Sequence, residues 1–363
     1  MGPLREARIS ATAIGGNTEA LRRLVPTSHT MAIVKADGYG HGAVTAARAA
    51  LEAGADHLGV ADLDEAFELR AAGIDAPVLA WLHDPEADFA SAAEAGISLG
   101  VNSRAQLAHA AASGYRATVH VKVDTGLSRN GVIEGEWAPL LDELAAAVRA
   151  GTVHLGGVFS HLSNTSPDDD RAQVTAFERF LDAVRSVGLE PGIRHLAASA
   201  AALDHPAARY DMVRLGLALY GIAPERHLRG TLPLVPAMQL SARVVGLKRV
   251  PAGSGVSYGY LHRTTVPTTL ALVPLGYADG VPRAAVDAPV RIGDAVYRVV
   301  GRIAMDQFVV DVGDASVTLG DRAVLWGDPA TGDPGVDEWA DAAGTIAYEL
   351  VTRLGRRVHR TTA

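Results

Sequence analysis

The chain holds 33 lysines and arginines, and only three of them are lysines: Lys35, Lys122 and Lys248. Where arginine is the default cation, a retained lysine marks a place that arginine cannot fill, and only a primary amine forms an imine with an aldehyde. Lys35 ends the apolar run Met31-Ala-Ile-Val34 and precedes Ala36-Asp-Gly-Tyr-Gly-His-Gly42. The run has the pattern of a strand covered on both faces, and its three glycines open a turn before a helical pattern that starts at Ala43. Desolvation there disfavours the ammonium, so it is either paired or lowered in pKa until it becomes a nucleophile. A lysine stem snorkelling from a strand end to water is the plainer alternative. The other chemistry-bearing residues are Arg129, in Lys122-Val-Asp-Thr-Gly-Leu-Ser-Arg-Asn-Gly131, then His161, Ser199, and Tyr258 in Val256-Ser-Tyr-Gly-Tyr260. Tyr258 sits in a glycine-rich loop that on its own reads as a β-turn with a packing tyrosine.

These residues need a scaffold that gathers them. Strand patterns occur at Thr30–Lys35, His57–Ala61, Pro77–Trp81, Ile97–Val101, Ala117–Val123, Val153–Ser160, Ile193–Ala198 and Met212–Tyr220. Amphipathic helical patterns lie between them, several ended by glycine, and the last connecting helix, near Leu203–Arg209, is short. This alternation predicts an α/β fold whose N-terminal part, residues 1–230, is an eight-stranded (β/α)8 barrel of TIM type. No Gly-x-Gly-x-x-Gly fingerprint follows the first strand, which argues against a two-sided open sheet. Chemistry then belongs at the carboxyl ends of the strands, where Lys35, Arg129, His161, Ser199 and the Gly221-Ile222 pair all fall. Beyond residue 230, short apolar runs between Gly, Pro and Asp turns predict a C-terminal, mostly-β domain over 231–363, a small barrel or sandwich with a late helix at Val336–Ala343.

Composition narrows the partners. A net charge of −8 argues against nucleic acid or an anionic membrane as the main partner, and the absence of cysteine excludes disulfides and thiolate metal sites. The opening Met-Gly-Pro-Leu-Arg-Glu-Ala has no long apolar segment, and the apolar runs elsewhere are too short to span a membrane; the expectation is a cytoplasmic protein.

From about Ala32 to Arg360 the sequence resembles the alanine racemases, two-domain enzymes that use pyridoxal 5'-phosphate. The resemblance is carried by Val34-Lys-Ala-Asp-Gly-Tyr-Gly-His-Gly42, Lys122-Val-Asp-Thr-Gly126, Val213-Arg-Leu-Gly216, Leu219-Tyr-Gly-Ile222, Val256-Ser-Tyr-Gly259, Leu275-Gly-Tyr-Ala-Asp-Gly280, Gly301-Arg-Ile-Ala-Met-Asp-Gln307 and Thr345-Ile-Ala-Tyr-Glu349, in that order. It implies that Lys35 holds the cofactor covalently and exchanges the α-proton of alanine on one face, with Tyr258 serving the other. A phenol with an ordinary pKa of about 10 is a poor base, so Tyr258 needs activation, which the resemblance assigns to a chain through His161 to Arg214. Arg214 would face the pyridine nitrogen and leave it unprotonated. The phosphate falls to the hydroxyls of Ser199, Tyr39 and Tyr348 and to backbone N–H groups at Gly216, Gly221 and Ile222. Arg129 would reach the cofactor phenol oxygen or the substrate carboxylate, with Lys122 at a position that is often carbamylated. Tyr258, Tyr277, Met305 and Asp306 would come from the neighbouring subunit of a homodimer, and the product D-alanine would supply peptidoglycan.

Departures from the family pattern are Ala198 and Ala347 where asparagine is common, Leu215 for a frequent proline, Ala304 for a small polar residue or cysteine, and the ending His359-Arg-Thr-Thr-Ala363. Two lost amides remove hydrogen bonds worth about 1 kcal/mol each if buried. A looser pocket admits the alternative of a racemase for serine or another small amino acid. A decarboxylase on the same barrel is disfavoured by the missing cysteine, and a non-catalytic cofactor carrier by the β-domain with its Tyr258 loop.

Overall fold

The computed structural model describes residues 2–363 and contains two sheets with a small ribbon beside them. Eight parallel strands form the first: His29–Ile33, His57–Val60, Val78–Ala80, Ile97–Val101, Ala117–Lys122, Val153–Phe159, Ile193–His195 and Met212–Leu215. The first seven pair in sequence order, and the eighth returns to pair with the first, His29 opposite Met212. The remaining seam, between the seventh and eighth strands, is drawn shut by backbone bonds from Asp211 N–H to the Arg194 carbonyl at 3.1 Å and from Arg214 N–H to the Ala197 carbonyl at 3.0 Å. The expected strands stand where the apolar runs put them. Several are shorter at the carboxyl end, because Lys35, Ser160, Ala198 and Gly216 through Tyr220 leave the ladder to build the barrel mouth.

The helices between strands start and stop by local chemistry. Asp62, Ser103 and Ser166 each accept a hydrogen bond from a backbone N–H three residues on, capping the helices Leu63–Ala71, Arg104–Ala111 and Pro167–Ser186. Trp137–Ala150 ends at Gly151 in the left-handed region. The last connection is short, as expected: the helix Ser199–Asp204 and one further turn.

The second sheet has nine strands, in the order Gly246–Val250, Thr268–Val273, Phe308–Gly313, Ala295–Val300, Pro289–Ile292, Arg322–Trp326, Met238–Arg243, Arg5–Ile9 and His359–Thr362. It is antiparallel except for the final pair, which brings both chain ends side by side. Residues 1–230 are therefore not all barrel. Arg5–Ile9 belongs to the second sheet, a correction that is easy to miss because this half-polar strand exists through its partners Met238–Arg243 and His359–Thr362, far away in sequence. The helix Val336–Ala343 lies where expected and sets Trp339 against Trp326 and Phe308, with the Trp339 indole donating to the Pro289 carbonyl at 2.7 Å. Among the described residues no helix is long and apolar enough to cross a membrane.

The two parts meet at the turn after Lys35. Ala36, Asp37, Gly38 and Tyr39 are consecutive left-handed residues with φ between 52° and 59°, one turn of left-handed helix. Each non-glycine residue there costs roughly 1–2 kcal/mol, so the turn must be held from outside. Glu65 accepts from Ala36 N–H at 2.6 Å and from Ala61 N–H at 2.7 Å, and Asp37 accepts from Ala43 N–H at 3.0 Å. On the far side the turn touches the helix Ala347–Thr352, with Gly40 at φ +79° so close that an added Cβ would overlap the Val351 carbonyl. Gly40→Ala is therefore expected to cost about 2 kcal/mol or more in urea unfolding, from positive φ and from the separation of turn and helix; an unchanged midpoint would contradict this packing.

Candidate active site

Lys35 opens onto a cavity of about 510 Å³ at the carboxyl end of the barrel, a size suited to a cofactor. Its wall includes Tyr39, Arg129, His161, Ser199, Arg214, Gly216 and Tyr348, gathered from five barrel connections and from the helix Ala347–Thr352. Trp81, Asn164, Leu217, Glu225 and Thr352 line it too, and no chemical pattern in the sequence singled these out.

The site is electropositive. Burial, then the charge of Arg129, lowers the Lys35 pKa; Glu65 opposes this and Arg214 adds to it. Lys122 is buried against the Phe159 ring, its ammonium 5.7 Å from the ring centroid, and burial followed by Arg214 and Arg129 brings it down to about 8. His161 falls to about 3 through burial, Arg214, Arg129 and the two lysines, so it is neutral. Arg214 itself, fully buried, is lowered to about 10 by desolvation.

Arg214 has no carboxylate partner among the described residues. Asp211, three residues earlier, is taken by Arg194 at 2.7 and 2.8 Å. Its guanidinium is held instead by the carbonyls of Ser160, His195 and Leu196, at 2.7, 2.8 and 2.9 Å. It also lies 3.2 Å from Nδ1 of both His161 and His195. A guanidinium only donates, so both imidazoles accept at Nδ1 and carry their proton on Nε2. His195 Nε2 then donates to Nδ1 of the buried His120 at 3.0 Å, so one donor fixes three rings.

Around the phosphate candidates the backbone is tight. The Ser199 hydroxyl oxygen accepts from Gly216 N–H at 2.9 Å, which leaves its own O–H to donate and commits the Gly216 amide. A Cβ at Gly216 would stand 2.6 Å from the Tyr39 hydroxyl, so only glycine leaves room there. Tyr39 and Tyr348 face each other with ring centroids 6.2 Å apart; burial raises the Tyr348 pKa to about 12, so it acts as a donor. Gly221 and Ile222 do not line this cavity. They border a neighbouring one beside Leu228 and Pro236, and Gly221 N–H closes a turn onto the Ala218 carbonyl at 3.1 Å. Leu217, directly after Gly216, takes the place on the wall that was expected of them. Of the two departures, Ala198 lines the cavity as an N-cap without a side-chain bond, whereas Ala347 is buried behind it.

An amine at a strand end, a buried donor-only cation, three hydroxyls on one wall and a glycine that clears space for them match the needs of pyridoxal phosphate: a carbonyl partner, a ring nitrogen contact and a phosphate cradle. The β-domain candidates lie elsewhere. Tyr258 is 71% exposed and shares a shallow cavity with Tyr260, Ala304 and Phe308. Tyr277 N–H donates to the Ala304 carbonyl at 3.1 Å, Met305 projects to solvent, and Asp306 accepts from Arg357 at 2.7 Å. All four candidates are exposed, and none lines the Lys35 cavity.

Residues 9–224 match the family described as alanine racemase, N-terminal domain, and residues 237–362 match alanine racemase, C-terminal domain. The alanine racemase of Thermobifida fusca is 50% identical over 99% of this chain and 98% of its own, and that of Salinispora arenicola 48% over 96% and 95%. The crystal structure of alanine racemase from D-cycloserine-producing Streptomyces lavendulae superposes with a TM-score of 0.97 at 44% identity, covering 100% of this chain and 98% of that one. Alanine racemase from Streptomyces coelicolor gives 0.95 at 42%, covering 99% and 98%. With both domains matched in order and along nearly their full length, the chain belongs to the alanine racemase family.

Proposed function

We propose that the protein is a pyridoxal-phosphate-dependent alanine racemase that interconverts L- and D-alanine for peptidoglycan synthesis. The observation that carries the reading is the Lys35 cavity: a half-buried amine of lowered pKa beside Arg214, a cation with no anion of its own. Lys35, Tyr39, Ser199, Tyr348 and Arg214 would hold the cofactor. When bound, pyridoxal phosphate draws electrons from the substrate α-carbon and so makes its proton removable. Lys35 Nζ takes and returns that proton on one face. Arg129, on the cavity rim, holds the substrate carboxylate. Arg214 cannot hand a proton to the ring nitrogen, which favours return of the proton to the α-carbon over its loss elsewhere.

Inversion needs a second base on the opposite face, since one base returning its proton to the same side regenerates the starting enantiomer. Tyr258 is the candidate, and it lies off the Lys35 cavity of its own chain, exposed as Tyr277 and Met305 are. We infer a homodimer in which Tyr258, Tyr277, Met305 and Asp306 of one copy complete the cavity of the other. His161, protonated at Nε2 by the logic of Arg214, would donate to the partner's phenolate and sustain it as a base.

Mixing Lys35→Ala chains with Tyr258→Phe chains tests function and assembly together. Each homodimer should be inactive, and random mixing should recover about one quarter of wild-type sites, because half of the dimers carry one intact pair. Activity is read as loss of optical rotation with L-alanine and, separately, L-serine. No recovery on mixing would place both bases in one chain, and rotation lost faster with serine would overturn alanine as the substrate.

Lys122 carries a second prediction. With its pKa at about 8 against an ordinary 10.5, the folded chain binds fewer protons than the unfolded one between those values, so its contribution to stability grows as pH rises through that window. In carbon-dioxide-free buffer, Lys122→Met should remove that rise in urea unfolding and be the more stable protein near neutral pH. A neutral amine there can add to carbon dioxide, forming an N–C bond and releasing a proton, and the carbamate would orient Arg129. Labelled bicarbonate should then give a carbamate carbon signal in the wild type that Lys122→Met lacks; a signal in both would assign it elsewhere.

A further inference from the structure

The amino-terminal mouth of the barrel, opposite the Lys35 cavity, carries a second group of chemistry-bearing side chains. His29 begins the first barrel strand, Asp56 precedes the second and His57 begins it. His29 Nδ1 lies 2.6 Å from one oxygen of Asp56, and His57 Nδ1 lies 3.1 Å from the other. One ligand atom from each of the three residues falls within 4.8 Å of the other two. We propose that His29, Asp56 and His57 form a binding site for a divalent transition metal, zinc in the first instance.

Three features support this beyond proximity. First, the carboxylate has no lysine or arginine partner among the described residues; the nearby Arg194 is committed to Asp211 as a two-pronged pair. Second, the carboxylate is oriented from behind: Thr30 N–H donates to it at 2.8 Å, and Asp56 N–H returns a bond to the Thr30 carbonyl at 3.1 Å. Third, the side chains are 36%, 42% and 15% exposed for His29, Asp56 and His57, which leaves open positions for water and a path for entry.

Two imidazole nitrogens and one carboxylate oxygen, with no thiolate, suit Zn²⁺, Co²⁺ or Ni²⁺ and disfavour Mg²⁺ or Ca²⁺. On binding, two N–H···O bonds are exchanged for two N–metal bonds and one O–metal bond, and each ring moves its hydrogen from Nδ1 to Nε2. Located at the bottom of the barrel, the metal would clip together the starts of two adjacent strands, one of which runs directly into Lys35. The role is structural: metal binding should raise the melting temperature.

The test uses chelator-treated holoenzyme titrated with zinc chloride by calorimetry. About one equivalent per chain is expected, and Asp56→Asn or His57→Gln should each weaken binding by more than the roughly 10–100-fold that loss of a mere orienting partner costs. His227→Ala, which disrupts the comparable but exposed pair with Asp204, should leave binding unchanged. X-ray absorption at the zinc edge of the loaded wild type should show nitrogen and oxygen neighbours at about 2.0–2.1 Å with imidazole scattering, a readout that holds even if a variant misfolds. Absence of saturable binding, binding unaltered in folded Asp56→Asn, or a spectrum without imidazole would overturn the site.

Discussion

Crowded positive charge is the constraint on which the rest depends. Lys35, Lys122, Arg129 and Arg214 gather around one barrel mouth, where burial first and then these neighbouring charges lower the pKa of Lys35, Lys122 and His161. Such a site is unfavourable when empty of anions. A phosphate and a carboxylate would relieve it, and on the proposed reading neutral hydroxyls from Ser199, Tyr39 and Tyr348 would then suffice as direct donors, the net charge supplying the attraction and the hydroxyls the geometry. Glu225 and Glu349 line the cavity, but neither is among the charges that act on Lys35. Glu65, the one carboxylate that acts on Lys35, spends both oxygens on backbone N–H groups, holding the left-handed turn instead of neutralising the amine.

That turn explains how the two domains share one site. A strained segment next to Lys35 keeps its shape only if both sides are filled, and the second side is filled by the helix Ala347–Thr352. The same helix brings Tyr348 to the cavity wall. Strain, domain contact and the placement of the Tyr348 hydroxyl on the cavity wall are thus consequences of one packing arrangement.

What could be read from the sequence follows from where the physics is local. Barrel strands buried on both faces are apolar runs, and these were placed to within a few residues because nothing else in a polar-helical background looks like them. Arg5–Ile9 and His359–Thr362 were not, since short, half-polar strands owe their existence to partners hundreds of residues away. The left-handed turn was legible only as three glycines; that Ala36, Asp37 and Tyr39 also adopt positive φ is set by Glu65 and the far helix. Lys35 stood out through the scarcity of lysine, and Arg214 through its motif. Gly221 and Ile222 failed for a geometric reason: the stretch holds two glycines five residues apart, and the one that must clear the Tyr39 hydroxyl is Gly216, which puts Leu217 and not Ile222 on the wall.

The directionality of the Arg214 network carries the mechanism one step further. A carboxylate at this position would accept protons and leave the surrounding histidines free to choose a tautomer. A guanidinium dictates it: His161 and His195 must accept at Nδ1, and His195 must pass its polarity on to His120. His161 therefore presents a fixed N–H away from the arginine, and its pKa of about 3 keeps it from becoming a cation that would trap a phenolate as a tight ion pair. A neutral, pre-oriented donor stabilises a phenolate enough for it to form while leaving it basic enough to remove a carbon-bound proton. On the proposed reading, the same cation would withhold a proton from the cofactor ring and, through His161, prepare the opposite face for its base, so that both effects would rest on a single buried side chain with no carboxylate partner among the described residues.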